Sequence, residues 1–113
     1  MLVTKILQFD AAHKLFDYNG KCENLHGHTW TVHVTVEAEI GKGGIACDFA
    51  LIKETVNEKA LDILDHSYVN DLLKEPSAEN IALWIWQRLK DSLPLHELKV
   101  FETPSSFVTY RGT

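Results

Sequence analysis

His13, His26 and His28 are the residues of this chain best placed to do chemistry, with Cys22 close by in Cys22-Glu23-Asn24-Leu25-His26-Gly27-His28. His26 and His28 are two apart, and on a strand that spacing puts both rings on one face. After His28 the sequence alternates. Trp30, Val32, Val34, Val36, Ala38 and Ile40 share its parity, while Thr29, Thr31, His33, Thr35, Glu37 and Glu39 take the other. The two imidazoles therefore sit on the apolar face, where an unpartnered polar group is costly. The segment Leu2–His13 reads as a second strand, with Val3, Leu7, Phe9, Ala11 and His13 on one face and Lys5 as the exception. Folding the two strands back antiparallel brings His13 beside His26 and His28. Three neutral imidazoles with room for a fourth ligand are the usual set around a catalytic zinc. Nickel, iron and copper are not excluded by ligand type. A lone histidine on an apolar face is more often a hydrogen-bonded core residue, but three meeting at one strand end have no comparable structural explanation. His33 is the internal control: its parity is polar, so it is expected to be solvated. His96, after Pro94, is expected on a surface loop.

The elements that must position these rings can be read along the chain. Its 113 residues make one domain, 1–113, with a modest core. The first strand gives way to a loop of mixed polarity, Lys14–Leu25, which carries Cys22. The second strand ends near Ile40, at the breaker Gly41-Lys42-Gly43-Gly44. Asp48 is a helix N-cap. Phe49, Ile52, Val56, Ala60 and Ile63 then form an apolar stripe, giving a helix to about Leu64. A polar connection leads to Pro76. Ser77 caps a second helix with Ile81, Ala82, Ile85 and Leu89 as its core face, ending before Pro94. Strands are expected over Glu97–Thr103 and about Phe107–Arg111, joined at Pro104-Ser105-Ser106. The order is ββααββ, which favours an α+β fold with an antiparallel sheet and the helices on one face. The free edges of such a sheet favour an oligomer.

Composition bounds the function. A net charge of −5 argues against general nucleic-acid binding, though not against an anionic small substrate. No apolar run is long enough to span a membrane. The N-terminal Met1-Leu2-Val3-Thr4-Lys5 lacks a signal-peptide pattern, so a cytoplasmic location is expected. Two cysteines, Cys22 and Cys47, do not make a disulfide framework. Cys47, beside the helix cap, reads as a small buried residue.

Two further acids draw attention. Glu102 shares parity with Leu98 and Val100, so it is an acid on an otherwise apolar face. It reads equally as a strand-end residue that reaches water or as a buried carboxylate held for a ligand with adjacent N–H donors. Asp65-His66 reads either as a helix C-terminal pair or as a carboxylate tuning a histidine for proton transfer.

Together these residues resemble the 6-pyruvoyl-tetrahydropterin synthase / 6-carboxy-5,6,7,8-tetrahydropterin synthase family. The matching landmarks are Phe9–His13, Cys22–His28, Asp48-Phe49 with Lys53, Leu64-Asp65-His66, Pro76–Asn80 and Glu102-Thr103-Pro104, in the family's order across nearly the whole chain. The cysteine-plus-His-Gly-His segment is the specific one. The resemblance implies the T-fold, two helices on one face of an antiparallel sheet, assembled through sheet edges into an oligomeric barrel, here a homo-hexamer with active sites between subunits. It implies zinc on His13, His26 and His28, Cys22 as catalytic base, Asp65 and His66 as a proton-handling pair, and Glu102 as anchor of the pterin ring. Members divide by cysteine spacing, and Cys22-x3-His26-Gly27-His28 is similar to the carboxy type of queuosine biosynthesis rather than to the pyruvoyl type, which has five intervening residues. A third group carries glutamate in place of the cysteine; this chain does not. Ser77 stands where the family usually has threonine, and either caps a helix.

The implied substrate is 7,8-dihydroneopterin triphosphate, cleaved to 6-carboxytetrahydropterin, acetaldehyde and triphosphate. No redox cofactor is needed, because the pterin's own conjugated imine is the electron sink. Lys14, Lys21, Lys53 and Arg111 are the candidate triphosphate partners. Two rival readings remain: pyruvoyl-type elimination on the same substrate, and a non-catalytic zinc-binding module in which Cys22 closes the site as a fourth ligand.

Overall fold

Alternation dictates the two long strands. In the computed structural model, which describes residues 1–15 and 25–112, β1 (Leu2–His13) and β2 (His26–Glu37) pair antiparallel along their whole length. Trp30, Val32, Val34 and Val36 are fully buried on one face, with Leu7, Phe9 and Ala11 beside them. Phe9 lies opposite Trp30 in register, and their rings stack with centroids 5.9 Å apart. The same register sets His13 opposite His26 and Ala11 opposite His28. Strand β2 ends at Glu37, short of Ile40.

Asp48 and Ser77 are N-caps. The Asp48 carboxylate accepts the Ala50 N–H at 2.9 Å, and the Ser77 hydroxyl accepts the Asn80 N–H at 3.1 Å. Helix α1 covers residues 49–64 and α2 covers Ala78–Leu89. Helix α1 is not regular: Phe49–Val56 is α-helical, Asn57–Leu61 forms a π turn, and Asp62–Leu64 resumes the α form. This changes the buried stripe. A regular helix turns about 100° per residue, so Ile63 would lie about 20° from Ile52. The π turn inserts one residue and delays everything after it by about 100°. Leu64 takes the place expected for Ile63: Leu64 is fully buried and Ile63 is 39% exposed. Phe49, also expected in the stripe, is 58% exposed at the start of the helix.

The two remaining long strands are β4 (Leu95–Thr103) and β5 (Ser106–Tyr110). Between the helices lies a strand the sequence did not announce, β3 (Ser67–Tyr68), which pairs parallel with Ala11 and Ala12 of β1. The sheet therefore runs β3-β1-β2-β4-β5: four long strands antiparallel and one short parallel strand at the edge. Both helices pack on one face of it, sharing a single core with the inward residues of β1, β2 and β4. The architecture is α+β, as the ββααββ order implied. His96 corrects its expected loop placement: it lies within β4, with Nδ1 3.6 Å from Glu37 Oε2. No helix is long and apolar enough to cross a membrane among the described residues.

Candidate metal centre

Three adjacent strands deliver the candidate ligands. His13 ends β1, His26 and His28 open β2, and Glu102 lies near the end of β4. Their parity with the buried apolar residues turns all four side chains to the core face, at one end of the sheet. His13 Nε2 lies 2.9 Å from His26 Nε2 and 3.0 Å from Glu102 Oε1. The same carboxylate oxygen is 3.1 Å from His28 Nε2 and 3.8 Å from His26 Nε2. One ligand atom from each of the four falls within 4.8 Å of every other, so the group could hold a metal ion.

Two observations test that fit. His13 is fully buried, and its Nδ1–H donates to the Pro76 carbonyl at 2.8 Å. That bond selects the tautomer whose Nε2 lone pair points into the cluster, the usual device by which a ligand histidine is oriented. His28 Nε2 is buried and makes no aligned hydrogen bond, although Glu102 Oε1 approaches it. A buried polar atom left so is costly unless something satisfies it. Burial holds the His28 pKa below the usual imidazole value, outweighing the Glu102 carboxylate that raises it, which favours the neutral, ligating form. Trp30 closes the floor, edge-on to His13 at 5.0 Å and to His28 at 5.5 Å between ring centroids.

Beta-strand parity separates His33 from this group. It lies on the opposite face of the sheet, but it is half-buried rather than solvated, with its ring 4.8 Å from that of Phe101. Burial, and then the nearby Lys99 cation, lower its pKa.

Asp65 and His66 lie at the edge of β1. His66 Nδ1 is 3.0 Å from Asp65 Oδ2, while Asp65 Oδ1 accepts the Asp10 N–H at 2.9 Å and the His66 N–H donates to the Asp10 carbonyl at 2.6 Å. His66 takes a positive φ of 57°, uncommon outside glycine, which turns the chain sharply out of α1 into β3. The Asp10 amide, with the His66 ring as a smaller cause, lowers the Asp65 pKa below the ordinary carboxylate value. An open hollow of about 510 Å³ touches both groups, being lined by Asp10, Gly27, His28, Thr29, His66 and Ser67 among others. A second, of about 360 Å³, is lined by Gln8, His28, Thr31, Glu102 and Pro104 among others. The two share Gly27, His28 and Thr29, and of the three clustered imidazoles only His28 lines them.

Cys22 and Lys21 lie outside the described residues. Of the expected phosphate partners, Arg111 is already engaged, its Nε 2.9 Å from Glu97 Oε2. Sequence reasoning missed Asp10, whose carboxylate accepts the Thr29 hydroxyl at 2.6 Å and whose backbone holds the Asp65–His66 pair. Its polar parity on β1 was the available signal. It also missed Pro76, whose carbonyl contact carries no sequence signature.

The fold and the ligand cluster together define a T-fold protein with a candidate metal centre at the strand ends. The chain belongs to the 6-pyruvoyl tetrahydropterin synthase family, whose model matches residues 2–113. It is 36% identical over 118 residues to the 6-carboxy-5,6,7,8-tetrahydropterin synthase of Synechocystis, covering 96% of this chain and 92% of that protein. It is 43% identical over 88 residues to the dihydroneopterin monophosphate aldolase of Pyrococcus furiosus, covering 76% of this chain and 72% of that one. The solved 6-pyruvoyl tetrahydropterin synthase of Caenorhabditis elegans superposes with a TM-score of 0.87 at 25% identity, over all of this chain and 96% of its own.

Proposed function

We propose that this chain is a zinc-dependent 6-carboxy-5,6,7,8-tetrahydropterin synthase, converting 7,8-dihydroneopterin triphosphate and one water to 6-carboxytetrahydropterin, acetaldehyde and triphosphate in queuosine biosynthesis. The observation that carries the reading is the convergence of His13, His26 and His28 on one point, preceded in sequence by a cysteine at the carboxy-type spacing. Three imidazoles form the ligand set, and the Pro76 carbonyl keeps the His13 Nε2 free of a proton. When bound, zinc supplies Lewis acidity to the substrate's side-chain hydroxyls and the adjacent C–H.

The chain's own residues do the rest. Cys22, as thiolate, takes the proton from the side-chain carbon. Asp65 is held ionised by the Asp10 amide and keeps His66 oriented through Nδ1, so that the imidazole can return or relay that proton. Glu102 binds the substrate: its carboxylate borders the smaller hollow and accepts paired N–H donors such as those of a pterin's pyrimidine edge. We further propose a cytoplasmic homo-hexamer with shared active sites, which light scattering on dilute protein tests; a stable active monomer would refute the shared site.

One observation favours a second reading. The 43% identity to a monophosphate aldolase supports aldol cleavage of a less phosphorylated dihydroneopterin, which would leave a hydroxymethyl pterin and release a two-carbon phosphorylated aldehyde. Incubating the zinc-loaded protein with the triphosphate and the monophosphate in parallel, and identifying the pterin products, decides between them. A 6-carboxy product from the triphosphate supports the first reading; a 6-hydroxymethyl product from the monophosphate alone supports the second.

A further inference from the structure

We infer that Asn70 is a positioning residue for the metal site, acting through the main chain of Lys14 on His13. The inference rests on the reading of His13 as a metal ligand. After α1 the chain lies as a strap along the outer edge of β1. Its first rungs are the Asp65 and His66 bonds to the Asp10 main chain, followed by the parallel pairing of Ser67 and Tyr68 with Ala11 and Ala12. The strap then stops being a strand, because Val69–Asp71 is a 3₁₀ turn whose Val69 side chain is fully buried. Asn70 continues the ladder with its side chain. Its Nδ2–H donates to the Lys14 carbonyl at 2.8 Å, and its Oδ1 accepts the Lys14 N–H at 2.9 Å. A primary amide presents a donor and an acceptor side by side, so it can satisfy both main-chain groups of one residue.

The placement of this clamp gives it a role beyond closing the ladder. Lys14 directly follows His13, and six residues after Asn70 the Pro76 carbonyl accepts the His13 Nδ1–H at 2.8 Å. The segment 70–76 therefore grips the end of β1 and the residue after it, with one grip on the Lys14 main chain and one on the His13 imidazole. The ring orientation depends on both: if the Lys14 main chain moves relative to residue 76, the Pro76 bond is strained or lost and Nε2 swings out of the cluster. Groups that orient ligand histidines typically contribute ~10–100-fold to metal affinity.

The test is the zinc affinity of the whole protein, measured by competition with a chromophoric chelator. Asn70→Ala should bind zinc on the order of 10-fold more weakly than wild type, the lower end of that range because the effect is indirect. Asp71→Ala, an exposed neighbour in the same turn, should bind as wild type. Asn70→Asp, which keeps the acceptor for the Lys14 N–H but sets an oxygen against its carbonyl, should also weaken binding and serves if the alanine variant does not fold. Hydrogen exchange of the Lys14 amide should be faster in both Asn70 variants. With cobalt(II) in place of zinc, the visible ligand-field bands should change in Asn70→Ala and not in Asp71→Ala. Wild-type zinc affinity in Asn70→Ala, beside a deprotected Lys14 amide, would reduce Asn70 to a fold-closing residue and overturn the inference alone. A wild-type protein that binds no zinc would overturn the metal reading, and this role with it.

Discussion

Glu102 Oε1 stands 3.0 Å from His13 Nε2 although the two residues lie on strands that never pair, β4 and β1, with β2 between them. The contact is made across the start of β2, above His28, and it places the carboxylate among the ring nitrogens rather than at a distance from them. Glu102 is therefore the residue whose substitution separates ligand from substrate partner most cleanly. Three imidazoles already provide the usual nitrogen set, so Glu102→Gln should keep its zinc. Turning one acceptor into a donor that faces a substrate donor should lower kcat/KM by about 2–4 kcal/mol, or roughly 30- to 1000-fold. Metal analysis and steady-state kinetics on one preparation give both numbers. Loss of zinc would assign the carboxylate to the metal instead.

Among the histidines, His13→Ala, His26→Ala and His28→Ala should each abolish bound zinc and activity. His33→Ala should retain both, because its ring lies on the other face of the sheet against Phe101. Elemental analysis of the four purified variants checks this. A zinc-free His33 variant would show that strand parity does not define the ligand set.

Cys22→Ala should keep zinc and lose turnover, since the base is removed while the three imidazoles stay. Alkylation of the wild-type thiol should be slowed by bound substrate. If the variant loses its metal and unfolds together, Cys22 is a structural ligand and the non-catalytic module is the better description.

Asp65 makes a prediction about acid stability. Its carboxyl titrates lower in the folded chain than in the unfolded one, because the Asp10 amide and then His66 stabilise the ionised form. Between those two values the unfolded state binds more protons, so stability falls as pH falls. The contribution is fully present above the unfolded carboxyl value, about 3.9, and is lost as pH drops through the lower folded value. Asp65→Asn lacks this contribution, so wild type should melt above the variant at pH 6 and the gap should narrow by pH 3. Thermal unfolding at the two pH values measures it; a gap that widens on acidification would contradict the assignment.

What could be read in advance followed strictly local rules. The alternation from Trp30 to Val36 fixes which way His26 and His28 face, and β1 obeys the same period as far as His13. The caps at Asp48 and Ser77 were legible because a side-chain oxygen before an apolar stripe has one obvious use. Ile63 and Leu64 exchanged places because nothing in the sequence marks the π turn at Asn57–Leu61; a one-residue insertion changes phase without changing composition. β3 is two residues long and parallel, below the length at which period 2 can be seen, and it exists because Asp65 and His66 bond to Asp10 before it. Pro94 before His96 signals a loop, yet Leu95 already enters β4. The Pro76 and Asn70 contacts involve main-chain groups of distant residues, which only tertiary structure brings together.

Carbon–carbon cleavage of the triphosphate substrate at a histidine-bound metal is tested most directly by the stoichiometry of its products. Zinc-loaded protein is given 7,8-dihydroneopterin triphosphate, and acetaldehyde and inorganic triphosphate are quantified from the same reaction. One acetaldehyde released for each triphosphate, with both lost in His28→Ala, is the predicted result. Triphosphate released without acetaldehyde would make the protein a pyruvoyl-type synthase, and release of neither would contradict both activities on this substrate.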